Sequence, residues 1–170
     1  MYANQNDFLV GSIDMEPNTG RKIVPVFLLP IRKLTTERVL FKLDSGADLT
    51  FMDKTDLFKL KYSMEWINKN KKENESIKIR TADGTLHNGT YIQVPLMTFM
   101  DKDFHNFKIY IIPDENEDFS NLLGLNVSTQ FNYYTNNSEG TLEFYRIEES
   151  KFNLSDDKND YIVGENIYNK

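Results

Sequence analysis

The stretch that most constrains this chain is Phe41 to Met52, which reads Phe-Lys-Leu-Asp-Ser-Gly-Ala-Asp-Leu-Thr-Phe-Met. A short apolar approach runs into Asp44-Ser45-Gly46-Ala47, and apolar residues resume directly afterwards. Asp, Ser and Gly are turn formers in their own right. The approach therefore reads as a strand that delivers a carboxylate to a tight turn, where the chain doubles back. The triplet Asp-Ser-Gly alone fits an ordinary turn equally well. Ala47 and the apolar flanks make the signal sharper.

The rest of the chain reads as short strands separated by turns. Residues 1–20 are polar and end in the turn signal Glu16-Pro17-Asn18-Thr19-Gly20, with Phe8, Val10 and Ile13 alternating ahead of it. Ile23 to Ile31 is strand-like. Its prolines at 25 and 30 remove ladder donors and favour an edge position or a strand end. Arg38 to Leu43 rises again into Asp44, so the two runs read as a hairpin whose second arm carries the acidic residue. After Met52, Asp53 can cap a short helix from Lys54 to about Lys61. Tyr62 to Ile67 is ambiguous, and Asn68 to Ser76 is a charged loop.

Ile77, Ile79 and Thr81 alternate with Lys78, Arg80 and Ala82 as in a half-buried strand. Asp83-Gly84 is a hairpin turn signal, and the returning arm runs from Thr85 to Phe99 with a break allowed at Asn88-Gly89. Phe104 to Pro113 is the next strand, and Asp114 to Ser120 is an acidic loop. Leu122-Leu123-Gly124-Leu125-Asn126-Val127 leads into a short helix ending near Phe131, and a final hairpin turns around Asn136 to Gly140. Many short strands with two small helices predict a mainly β, barrel-like domain.

Composition removes several function classes. The 170 residues are one domain's worth of chain, long enough for a real core. A net charge of −6 argues against nucleic acid as a partner, because the one basic cluster, Lys69 to Lys72, is followed by Glu73 and Glu75. The chain has no cysteine, which excludes disulfides, thiolate metal sites and a cysteine nucleophile. His87 and His105 are isolated, so no metal site is expected. Asp114-x-Asn116-x-Asp118 hints at a calcium loop, but Phe119 and Leu125 occupy the positions that need glycine and glutamate. The first ten residues lack the pattern of a signal peptide and no run is long enough to span a bilayer. A soluble, cytoplasmic protein with no membrane partner is the expectation.

Three landmarks together resemble the retropepsin-like aspartic proteases, over about residues 22 to 147. They are the strand into Asp44-Ser45-Gly46-Ala47, the hairpin Arg80-Thr81-Ala82-Asp83-Gly84-Thr85, and Leu122-Leu123-Gly124 followed by a short helix. The resemblance implies a closed β-barrel fold, an N-terminal extension at 1–21, a protease domain at 22–147 and a polar tail at 148–170. It implies peptide or protein substrates and no cofactor.

It also implies roles. Asp44 is the catalytic residue, and Ser45, Gly46 and Ala47 form its active-site loop. Asp48, Asp83 and Gly84 contact substrate, the last two from the tip of a flap. Leu122, Leu123 and Gly124 form the second active-site loop. One departure stands out. Many viral members carry arginine directly after that glycine, as a partner for the second aspartate, and this chain has Leu125 there. The chain holds one Asp-Ser/Thr-Gly sequence, so a dyad of carboxylates needs two copies and a homodimer is expected. The rival expectation is a retropepsin-like dimerisation or peptide-binding module with little or no catalysis.

Overall fold

Alternation along the strand that leads into Asp44 sets the layers of the molecule. In Glu37–Leu43, Val39, Phe41 and Leu43 are buried while Arg38, Leu40 and Lys42 are exposed, the period-two pattern of a sheet with one face on the core. The computed structural model describes residues 8–31, 33–70, 77–81, 84–112 and 120–147. In chain order these form β1 (Leu9–Asp14), β2 (Ile23–Leu29), β3 (Glu37–Leu43), α1 (Lys54–Lys59), α2 (Met64–Asn70), β4 (Ile77–Arg80) and β5 (Leu86–Phe99). They continue with β6 (Lys102–Ile111), β7 (Leu122–Leu123), α3 (Leu125–Ser128), β8 (Phe131–Asn136) and β9 (Thr141–Arg146). Among the described residues no helix is long and apolar enough to cross a membrane.

Two sheets result. The larger has the order β4-β5-β2-β3-β7, with β6 paired to β5, and the smaller has the order β1-β9-β8. Their joint is aromatic. Phe99 from β5 meets Phe144 from β9 and Phe131 from β8 edge-to-face, with ring centroids 5.2 and 5.4 Å away. Offset and edge-on contacts of this kind are favoured by the ring quadrupole. Both Phe99 and Phe144 are completely buried, so the two sheets share one core.

The fold is mainly β as expected, but among the described residues its sheets do not close into a barrel. From β7 the chain reaches β6 through Phe51, which makes a single parallel bridge to Tyr110 and a single antiparallel bridge to Leu122. A one-residue bridge is not a ladder. Residues 49–52 turn directly toward the cap of α1, which leaves no length for a strand that would seal the gap.

Three local expectations are also revised. β2 is an interior strand, paired with β3 and with β5. It tolerates Pro25 because β5 joins only at Phe27–Leu29, so the proline lies where β2 has one neighbour. β5 runs through Asn88-Gly89 without a break. Gly89 is buried there under β4, and a Cβ on it would stand 2.0 Å from the Ile79 side chain. The ambiguous segment after Tyr62 is α2. Tyr62 and Trp66 stack edge-on, with centroids 5.1 Å apart, on the core side. Helix α1 begins as read, with the Asp53 carboxylate accepting from Thr55 N.

Candidate active site

Asp44 sits at the end of β3, where the backbone leaves the sheet. Its N–H donates to Leu123 O at 3.1 Å, continuing the parallel pairing of β3 with β7. The loop then closes on itself. Gly46 N donates to Asp44 Oδ1 at 2.9 Å and Ala47 N donates to Asp44 O at 3.3 Å. One carboxylate oxygen is thereby committed to the turn. A Cβ on residue 46 would stand 3.2 Å from that oxygen, which is why a glycine suits the position. The other oxygen, Oδ2, faces Lys42 Nζ at 3.9 Å, beyond hydrogen-bond range. About 30% of the Asp44 side chain is exposed, so a reacting group can approach it.

The second loop is locked against the first. Leu125 N donates to Ala47 O at 2.7 Å and Asn126 N to Asp48 O at 3.1 Å. Gly124 must be a glycine, because a Cβ there would lie 2.3 Å from Leu49 O and 2.8 Å from Ala47 O, both backbone atoms. Beneath them Thr50, fully buried, donates its hydroxyl to Asn126 Oδ1 at 2.8 Å and accepts from Gly124 N at 3.3 Å. Phe51 and Leu122 exchange backbone hydrogen bonds, and Tyr110 N donates to Thr50 O.

Asn121 ties the outside of the same assembly. Its amide donates to Leu40 O at 2.9 Å and to Asp56 Oδ2 at 2.5 Å, and its carbonyl oxygen accepts from Asp53 N at 2.8 Å. One buried side chain thus holds β3, α1 and the approach to β7 together. A groove of about 490 Å³ runs over the outer face of β3, lined by Arg21, Ile23, Leu40, Lys42, Asp53 and Asn121 among others.

The structure brings Asp44, Ser45, Gly46, Ala47 and Asp48 together with Leu122, Leu123 and Gly124. Ser45, Gly46 and Asp48 are exposed, while Leu123 and Gly124 are buried. Among the described residues, no cation forms an ion pair with Asp48, and Leu125 is half-buried where an arginine was sought. Gly84 turns the β4–β5 hairpin with φ +88° and donates its N–H to Thr81 O at 2.9 Å. Asp83 lies outside the described residues, as do the acidic loop at 113–119 and the tail at 148–170.

Sequence reasoning assigned no role to Thr50, Asn121, Asn126 or Lys42. Only Lys42 carried a usable signal, since its spacing of two from Asp44 on a strand puts both on one face. The others earn their places through contacts more than 60 residues apart in sequence.

A model of the family described as aspartyl protease matches residues 33–127. The matched span contains both loops of the site. The chain belongs to the aspartyl protease family, and its fold is of the retropepsin-like type. The crystal structure of a retropepsin-like aspartic protease from Rickettsia conorii is similar, with a TM-score of 0.50 at 19% sequence identity. That likeness covers 86% of this chain and 98% of the other. No curated protein matches the chain.

Proposed function

We propose that this chain is an aspartic endopeptidase that acts as a homodimer, hydrolysing peptide bonds with a water held between two copies of Asp44. The observation that carries this reading is the state of the Asp44 carboxylate. It stands partly exposed at the mouth of two interlocked loops, with Oδ1 held by Gly46 N and Oδ2 open to a reacting partner. A structural turn has no need to leave a carboxylate oxygen accessible.

The chemistry follows from charge. Amide hydrolysis needs a base to activate water and an acid to protonate the leaving nitrogen. Two carboxylates in contact cannot both ionise comfortably, so they share a proton and titrate as a pair. The ionised member takes a proton from water as the oxygen attacks the carbonyl carbon. The protonated member donates to the carbonyl oxygen. Collapse of the tetrahedral species breaks the C–N bond, with a proton delivered to the departing amine. Each chain supplies one Asp-Ser-Gly sequence, so both members are Asp44, related by a two-fold axis.

In this reading Ser45 reaches the partner's equivalent loop across the axis. Gly46 allows the substrate backbone close to the carboxylates, and the hairpin carrying Asp83 and Gly84 closes over the bound peptide. Asp48 contacts substrate in this reading, although Leu125 stands where many viral members carry the arginine that partners this aspartate.

The test is cleavage of a diverse peptide library by wild type and by Asp44→Asn, read by mass spectrometry from mildly acidic to neutral pH. Wild-type cleavage that the variant lacks supports the dyad. No cleavage by a folded wild-type dimer would replace it with the peptide-binding module.

A further inference from the structure

We propose that Lys42 is a specificity-determining residue, selecting substrates that carry a carboxylate side chain next to the scissile bond. The inference rests on Asp44 being the catalytic carboxylate and adds the substrate class.

Lys42 is the charged group nearest to Asp44 Oδ2 among the described ion pairs, at 3.9 Å, and 45% of its side chain is exposed. That separation makes no hydrogen bond, so the ammonium keeps its donors for another acceptor. A second cation lies close by in register. Ile23 pairs with Lys42, and Leu43 N donates to Lys22 O at 2.8 Å, so continuing the ladder sets Arg21 level with Asp44. Lys42 joins Asp44 to the groove over the outer face of β3, which Arg21 also lines and where Ile23 and Leu40 give apolar walls for a side-chain stem.

Acidic groups also line that groove, but they are engaged elsewhere. The Asp53 carboxylate caps α1 through Thr55 N. Asp56 accepts from Asn121 Nδ2 and pairs with Lys59. Arg21 has only a distant, exposed contact with Glu16, at 3.9 Å. The Asp53 and Asp56 carboxylates keep their charge, but their hydrogen bonding is directed at Thr55, Asn121 and Lys59. The Lys42 and Arg21 donors face no acceptor within hydrogen-bond range among the described ion pairs.

One Lys42 ammonium group stands beside each Asp44, so an acidic side chain seated against it meets a cation directly. Closure over substrate removes water and strengthens that attraction.

The experiment uses matched peptides that differ only by Glu, Gln or Lys at each position flanking the cleaved bond. Both kcat/KM and equilibrium binding by fluorescence anisotropy are measured for wild type, K42M and K42E. Wild type is expected to favour Glu over Gln by about three- to ten-fold at one or two adjacent positions. In K42M that ratio falls to about one, and K42E prefers Lys over Glu at the same positions. The same ratio in all three proteins overturns the proposal. The binding arm separates the two readings, because lost cleavage with an intact charge ratio overturns the dyad and leaves Lys42 its role.

Discussion

Thr50 is the residue on which the geometry of the site turns. It has no exposed surface, and its hydroxyl serves Gly124 N and Asn126 Oδ1 at once. Thr50→Val keeps the shape and takes the hydroxyl from the buried Gly124 N–H and the half-buried Asn126 carbonyl. Leaving buried polar groups unpaired costs about 1–3 kcal/mol, so the urea midpoint should drop with little change in slope. Peptide cleavage should fall as well, because the same bonds hold the second loop against Ala47 and Asp48. The residue-level reading of the sequence found the acid and the turn, since Asp44, Gly46 and Gly124 are contiguous signals. It missed Thr50 and Asn126, because a buried threonine and a distant asparagine look like ordinary polar residues until the fold joins them.

At the scale of elements, the packing of β4 on β5 depends on the absence of a side chain at residue 89. Gly89→Ala pushes a Cβ to within 2.0 Å of Ile79 Cδ1. Overpacking of this kind costs about 1–3 kcal/mol. Ile79→Ala in the same chain should relieve part of it, so a double-mutant cycle on unfolding should give a non-zero coupling. The glycine read as a possible break in the strand because glycine weakens strands in general, and the reason for keeping it here is tertiary.

A second element-level prediction concerns the link between β2 and α2. Tyr62 OH accepts from Ile31 N at 2.9 Å, and burial raises the phenol pKa above its ordinary 10.0 despite that hydrogen bond. The folded chain therefore holds the proton more tightly than the unfolded one. The Tyr62 contribution is complete below about pH 10 and is lost as pH rises through the higher folded value. Subtracting the unfolding free energy of Tyr62→Phe from that of wild type across alkaline pH should isolate this decline.

For the whole molecule, the hairpin pairings β2–β3, β4–β5 and β8–β9 follow from strand runs and turns that are plain in the sequence. The pairings β2–β5, β3–β7 and β1–β9 join residues far apart in the chain and were not legible there. Barrel closure does not follow, because whether Phe51 extends into a strand depends on where α1 starts. Asp53, held by Asn121, starts it at once. The proposed homodimer follows from arithmetic, since one Asp-Ser-Gly per chain cannot supply the two carboxylates that the proposed dyad needs.

The most direct measurement of the dyad is activity in mixed dimers. A fixed amount of wild type is equilibrated with an equal amount of Asp44→Asn until subunits have exchanged, and peptide cleavage is compared with wild type alone. With one Asp44 required from each subunit, random pairing leaves a quarter of twice as many dimers active, and the rate falls to about one half. A rate unchanged by the added variant would mean that each chain works alone, and would contradict the shared dyad.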